Sequence, residues 1–315
     1  MENTEEDNQT VITQFILLGF RNLPHLHIFL FLLFLVIYIL TMAGNLLIVV
    51  LVVADPHLHT PMYFFLGNLS CLEVCYSSTV LPRLLAGLLT GDRAISVRGC
   101  IVQLYFFGSL VPTECSLLAA MSYDRYLAIC KPLHYATLMN GRLLLQLAAG
   151  SWLSGFLNCT LIICFVSRFT FCGPNEIDHF FCDFLPVLKL SCNDITLITW
   201  LSLLTTAVTA LFPFLFTLMS YVYIIGTILR IPSTIGRQKA FSTCASHLLV
   251  VIIFYGTILI VYMFPDTSRL RNLSKTFSVF YTVLTPLINP LIYSLRNKEV
   301  KGALRKVAHK CMVPM

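Results

Sequence analysis

The sequence predicts an all-α membrane protein: a seven-transmembrane helix bundle followed by a short amphipathic cytoplasmic helix. Three observations predict it. Of the 315 residues 57% are hydrophobic and only 11% charged, where a soluble domain carries roughly 25% charged residues. Mean hydropathy is +0.82, too apolar for side chains that must coat a water-facing surface, which excludes an ordinary cytosolic enzyme. The apolar runs are of helix length, whereas strands of an outer-membrane barrel run about ten residues and alternate in polarity.

A transmembrane helix needs roughly 20 mainly apolar residues, and seven stretches qualify: 28–53, 62–89, 98–129, 142–166, 195–229, 240–264 and 276–295. Breakers separate them, among them Pro56, Gly91, Pro132, Pro174, Pro232 and Pro265. There is no internal repeat and no low-complexity segment. The expected division is an N-terminal tail at 1–27, the bundle at 28–295 and a cytoplasmic tail at 296–315. In that tail Val300, Leu304 and Val307 recur at helical spacing among Lys301, Arg305 and Lys306, the pattern of a helix lying on a membrane surface. Cys311 beyond it is a candidate for acylation. Residues 1–7 carry four acids and no base, unlike a cleaved signal peptide, so the first helix is expected to act as signal anchor.

Orientation follows from Lys and Arg. One side of the bundle holds Arg125, Lys131, Arg142, Arg230, Arg237, Lys239, Arg296, Lys298, Lys301, Arg305, Lys306 and Lys310 against Asp55, Asp124 and Glu299. On the other side bases and acids nearly balance. By the positive-inside rule the first side is cytoplasmic and the N-terminus extracellular. The basic excess is thereby a topology signal and not a nucleic-acid patch.

Of the 12 cysteines, Cys71, Cys75, Cys115, Cys159, Cys164 and Cys244 fall in spans, where a buried thiol is the ordinary reading. Cys100, Cys172, Cys182 and Cys192 all fall on the outer side, so two disulfides are expected, with three connectivities open. Asn8, in the sequon Asn8-Gln9-Thr10, is the expected glycosylation site. Segment 179–183 mixes His, Cys and Asp in a way that suggests zinc, although a disulfide would consume Cys182.

The helix ends carry motifs. Met121-Ser122-Tyr123-Asp124-Arg125-Tyr126 closes the third helix, Asn289-Pro290-Leu291-Ile292-Tyr293 lies in the seventh, Pro61-Met62-Tyr63 opens the second and Ser220-Tyr221 falls in the fifth. Lys239-Ala240-Phe241-Ser242-Thr243-Cys244-Ala245-Ser246-His247 opens the sixth, and Ser294-Leu295-Arg296-Asn297 follows the seventh. Together and in this order they resemble the olfactory (odorant) receptors of the rhodopsin-like G-protein-coupled receptor family, over about 15–306.

The resemblance implies a receptor in the plasma membrane that binds a small volatile odorant and activates a heterotrimeric, stimulatory G protein of olfactory type, raising cAMP. It implies that Cys100 pairs with Cys182, leaving Cys172 to Cys192. Asp124, Arg125 and Tyr126 match the family's cytoplasmic switch, with Tyr221, His247, Asn289, Pro290 and Tyr293 around it. Glu73 and Glu114 match the acidic pair of a mid-membrane sodium site, Glu73 standing where many members carry Asp. No other cofactor is implied.

Elementary chemistry bears on these residues directly. Carboxylates at bilayer depth are costly, and two in one small site cannot both ionise unpaired, so either a cation bridges Glu73 and Glu114 or at least one is neutral. The blander reading is a protonated Glu bonded to a neighbouring helix. Arg125 reads otherwise as a snorkelling helix end, His247 as a packing residue, and Asn289-Pro290 as a kink. Yet Phe107, Val111, Glu114, Leu118 and Arg125 share one stripe of the third helix, which connects the outer half of the bundle to its inner end.

For the ligand the third helix offers Phe107, Gly108, Val111 and Pro112. The sixth offers Tyr255, Ile258, Leu259 and Tyr262, the fifth Thr205, Thr206 and Thr209, and the seventh Val279 and Thr282. Such a cavity is apolar with a few hydroxyls and no charge, suited to a small neutral molecule; the alternative is that these residues only pack helix on helix.

There is no Gly-rich phosphate loop, no His-x-x-x-His pair and no Ser, His and acid set at one depth, so the chain is not expected to be an enzyme. A small-solute transporter could use the two Glu residues, but no repeat is detectable. A receptor for another small lipophilic ligand outside the nose is the nearer alternative. An amine receptor is disfavoured because position 107 is Phe.

Overall fold

The computed structural model describes residues 12–20, 24–172, 174–263, 270–296 and 300–303. The spans are α1 (His27–Ala54), α2 (Pro61–Thr90), α3 (Val97–Cys130), α4 (Gly141–Val166), α5 (Thr196–Leu229) and α6 (Thr234–Met263). The seventh span, α7, runs as Leu270–Val279, a π-helical turn Phe280–Leu284 and Thr285–Arg296. Six spans pass as single helices and the seventh candidate is α6, bent by 42° between Thr234–Ser242 and Cys244–Leu259.

Local chemistry sets the boundaries. Pro61 opens α2, where its missing N–H is no loss. Gly91 ends that helix with φ of 75°, a left-handed conformation natural to glycine. Ser96 caps α3 by accepting from Gly99 N at 3.0 Å, and Asn140 caps α4 by accepting from Leu143 N at 2.9 Å.

Burial is inverted relative to a soluble bundle: Ile28 and Val53 of α1 are exposed at 77% and 73% while Thr41 and Asn45 are buried. Apolar side chains face outward where lipid covers them, and polar ones turn toward their partners. α3 is the most deeply buried of the spans, whereas α1, α4 and α5 leave most of their apolar surface exposed. α3 is therefore the central post, and residues on its different flanks reach different neighbours.

The end carrying the N-terminal strand is called the outer end below, and the opposite end the inner end. Three short strands cover the outer end: β1 (Gln14–Leu17), β2 (Ala94–Ser96) and β3 (Glu176–Ile177), in the order β2-β1-β3. β1 pairs antiparallel with β2, Phe15 opposite Ile95, and parallel with β3, Leu17 opposite Ile177. Phe15 is wholly buried and lies edge-on to Phe171 at 5.1 Å. The expected tail at 1–27 thus includes a strand that the sequence did not signal: an alternating stretch too short to mark a strand alone finds two edges in the outer loops.

Three other expectations shift. α6 starts at Thr234 and not at 240, because Ser233 accepts from Gly236 N through its hydroxyl at 3.2 Å and from Arg237 N through its carbonyl at 2.9 Å; the inner loop before it shrinks to 230–233. α7 starts at Leu270, six residues before the apolar run. Cys71, Cys75 and Cys164 are exposed on the bundle surface, not buried, whereas Cys115, Cys159 and Cys244 are buried. The expected amphipathic helix after the seventh span falls within the described residues only at 300–303, which are helical with Val300 and Ala303 buried. Asn8 and Cys311 lie outside the described residues.

Candidate functional site

Two disulfides build the outer end: Cys100 to Cys182, with Cα atoms 5.5 Å apart, and Cys172 to Cys192, at 5.6 Å. The first ties the loop between α4 and α5 to the top of α3. Gln103, one turn down, accepts from Cys182 N at 2.9 Å and donates to the Thr79 carbonyl of α2. The residue before the cystine, Phe181, is thereby held over α3, and its ring lies 4.6 Å from that of Phe107. Phe107 also meets Tyr76 of α2 at 5.0 Å and Tyr281 of α7 at 6.1 Å.

Val111, Ile258 and Val279 pack against the same core as Phe107 and Tyr255. Tyr255 donates its hydroxyl to the Cys115 carbonyl at 3.2 Å and sets its ring 4.8 Å from Phe214, stitching α6 to α3 and α5. Thr282 is fully buried and donates to the Ser278 carbonyl. Leu259 is half-buried. The side chain of Tyr262 lies outside the described residues.

Three expected pocket residues stand elsewhere. Gly108 faces α4: a Cβ built on it would lie 3.0 Å from Cys159 Sγ. Buried Pro112, one turn further, lies on that flank too. On the facing helix, a Cβ on Gly155 would collide with Thr113 Oγ1 and the Ser109 carbonyl, so this is a close helix contact of small residues. Thr206 is exposed on the bundle surface. A π-helical turn at Ala207–Leu211 adds a residue to the helical cycle, so spacing counted at 3.6 residues per turn does not carry one face through α5. Thr205 and Thr209 are half-buried and spend their hydroxyls on carbonyls of their own helix, Ser202 at 3.1 Å and Thr205 at 2.8 Å.

Sequence reasoning missed Tyr76, Phe181 and Tyr281, and read His179 only as part of a zinc-like segment. His179 is buried with Nε2 3.3 Å from Ser278 Oγ of α7, its ring 4.6 Å from Phe180 and 4.5 Å from Phe181. Burial first, then the neighbouring Lys275 ammonium, push its pKa down to about 3, with Asp178 opposing. Lys275 itself pairs with Asp178. Asp183, which caps the following helical turn by accepting from Phe184 N at 2.8 Å, is pushed up to about 6 by burial. The zinc reading of 179–183 fails with Cys182 in a disulfide, and no cluster of three metal-ligating side chains occurs among the described residues.

At mid-depth Glu73 and Glu114 are buried and close enough to feel each other's charge. Asn289 donates to Glu73 Oε1, while Glu73 Oε2 and Glu114 Oε1 are buried with no hydrogen-bond partner among the described residues. Pro290, the next residue, sits against α1, where a Cβ on Gly44 would lie 3.3 Å from its ring.

At the inner end Asp124 is fully buried and accepts from Arg125 Nε at 3.0 Å and from the Tyr135 hydroxyl at 2.7 Å. Tyr135 was not foreseen; it arrives on a one-turn helix, Tyr135–Leu138, after the Pro132 turn. The Tyr221 hydroxyl is 2.6 Å from His247 Nδ1, joining α5 to α6. Arg125 lies within electrostatic reach of Tyr221, His247 and Tyr293, and the buried Tyr293 hydroxyl has no hydrogen-bond partner among the described residues. Tyr126 packs beside them, 6.1 Å from the Tyr223 ring.

A sequence profile described as Olfactory receptor matches residues 34–310. The chain belongs to the olfactory receptor family. Human olfactory receptor 6B1 is 50% identical over 305 residues, 97% of each chain. Human olfactory receptor 6N1 is 50% identical over 299 residues, 95% of this chain and 96% of its own, and rat olfactory receptor 1f45 is 49% identical over 300, with the same shares. This olfactory receptor is a multi-pass membrane signalling protein, not an enzyme. An outer aromatic core, a mid-depth acidic pair and an inner ion pair are all strung on α3.

Proposed function

We propose that this receptor lies in the plasma membrane with its N-terminus outside, binds a small, neutral, mostly apolar volatile molecule between α3, α6 and α7, and activates a stimulatory G protein of olfactory type, raising cAMP. The observation that carries the ligand reading is the aromatic cluster of Phe107, Tyr76, Phe181 and Tyr281 beside Tyr255. Rings that touch by edges and faces accept an apolar molecule, and no charged side chain belongs to the cluster. A ligand of about ten heavy atoms has little area to bury, so potency in the micromolar range is expected. It acts by differential contact, favouring one packing of α6 against α3.

A sodium ion at mid-depth belongs to the same reading. Glu73, Glu114 and Asn289 would hold it, and the two buried carboxylate oxygens without partners suit a hard cation that takes oxygen ligands. Bound there, the ion would offset one carboxylate charge, leaving the pair neutral overall when the other Glu carries a proton. Glu114→Gln should then alter basal activity and erase sodium dependence; an unchanged sodium titration favours hydrogen bonding alone.

The deciding experiment screens a panel of volatile alcohols, aldehydes, ketones and esters against receptor-expressing cells with a cAMP readout. A response lost in Phe107→Ala at equal surface level supports the site. Flux of labelled solute without second messenger would instead mean a transporter.

A further inference from the structure

We propose that the crevice between the inner ends of α5 and α6 holds one anionic phospholipid, its headgroup on Arg237 and an acyl chain along Leu229 and Phe241. The crevice measures about 670 Å³ and is lined by Leu229 of α5 and by Thr234, Arg237, Gln238, Phe241 and Ala245 of α6.

Helical phase shows which way it opens. Cys244 and His247 are buried and turn toward α3 and α5. Phe241, just before the bend in α6, and Ala245, just after it, both line the crevice on another flank, and seven residues beyond Ala245 the same row reaches Ile252. Phe241 and Ile252 are exposed at 55% and 59%. In a membrane-spanning helix that flank meets lipid, so the crevice opens sideways into the bilayer, with buried Ile228 between it and the cluster of Tyr221 and Cys244.

Leu229 and Phe241 give the crevice an apolar wall and Arg237 a cationic group, with Thr234, Gln238 and Ser242 as polar neighbours. Leu229 is 66% exposed, and among the described residues no carboxylate pairs with Arg237. Thr234 and Gln238 add hydrogen-bond donors beside it. A neutral lipid leaves the guanidinium unanswered, and a free anion leaves the hydrocarbon wall bare. An amphiphile with an anionic head answers both. Basic pockets between transmembrane helices hold such headgroups, each Lys or Arg strengthening binding about fivefold.

The test needs neither odorant nor G protein, so its failure is distinct from failure of the proposed function. The full-length receptor is placed in nanodiscs of equal parts phosphatidylcholine and phosphatidylserine, and native mass spectrometry counts the lipid it retains. Wild type should keep one phosphatidylserine in preference to phosphatidylcholine. Arg237→Gln should lose that preference about fivefold and Arg237→Lys should keep it. Ala245→Trp should reduce retention of either lipid, whereas Arg142→Gln, outside the crevice, should change nothing. Thermal melting of each variant controls for folding. Unchanged preference in Arg237→Gln overturns the proposal. So does displacement of the lipid by soluble glycerophosphoserine as effective as by the lipid itself, which would mark a bare anion site. A dimer mass without retained lipid, meaning that a second copy fills the crevice, overturns it equally.

Discussion

Asn45 of α1 donates from Nδ2 to the Pro286 carbonyl of α7 at 3.0 Å. That carbonyl is the one that Pro290, four residues on and lacking an N–H, cannot satisfy. A second Nδ2 hydrogen bond runs to Thr41 at 3.0 Å within α1. The cost of the proline in α7 is thus met from another helix, and the same contact seats Pro290 against Gly44. Asn289, carried on the turn that this arrangement shapes, reaches Glu73.

Replacing Asn45 by Ala leaves a buried carbonyl without a donor and should destabilise the receptor by about 1–3 kcal/mol. Asn45→Asp, which keeps the shape but not the donor, should fare no better. Melting of the purified protein would show it, and equal melting of all three proteins would mean that Pro286 is satisfied otherwise.

Gly108→Leu should act on folding and not on ligand potency. Its side chain would press on Cys159, and overpacking of this kind costs about 1–3 kcal/mol. Gly108→Ala should be partly rescued by Cys159→Ala, which removes the sulfur 3.0 Å away. A shift in agonist potency at unchanged surface level would return Gly108 to the ligand cavity.

Tyr135→Phe removes one of the two groups that hold Asp124. With that hydrogen bond worth about 1 kcal/mol, basal cAMP should rise roughly fivefold as the Asp124 to Arg125 pair loosens. Arg125→Ala should abolish signalling at intact surface level. Basal activity equal to wild type in Tyr135→Phe would show that the phenol plays no part in holding the pair.

His179 makes the outer loop acid-sensitive. Its pKa is about 3 when folded against the usual 6.5, so its stabilising share is present above pH 6.5 and is lost as pH falls toward 3. At pH 5 that loss is about 2 kcal/mol. Asp183, raised to about 6, works the other way: its deprotonated form is disfavoured by folding, so acidification returns part of the loss. Melting of wild type should fall between pH 7.5 and pH 5, and His179→Gln should remove that fall. An acid-induced drop of equal size in His179→Gln would assign it to another group.

The sequence by itself determined the spans, the outer cystines as a set and the motifs at the helix ends, because lipid demands long apolar runs and the motifs are local strings. Phe107, Glu114 and Arg125 could be placed on one stripe of α3 since a straight helix keeps its phase. Thr206 and Gly108 could not: the π-helical turn in α5 breaks the phase, and small residues read equally as cavity or as close contact until Cys159 is seen opposite. Phe181 over Phe107, Tyr135 on Asp124 and Asn45 on Pro286 join residues 74, 11 and 241 positions apart, of which the latter two separations are those of hydrogen bonds. Pairings of that kind depend on which helix flanks meet and how loops fold back, and only the packed bundle decides them.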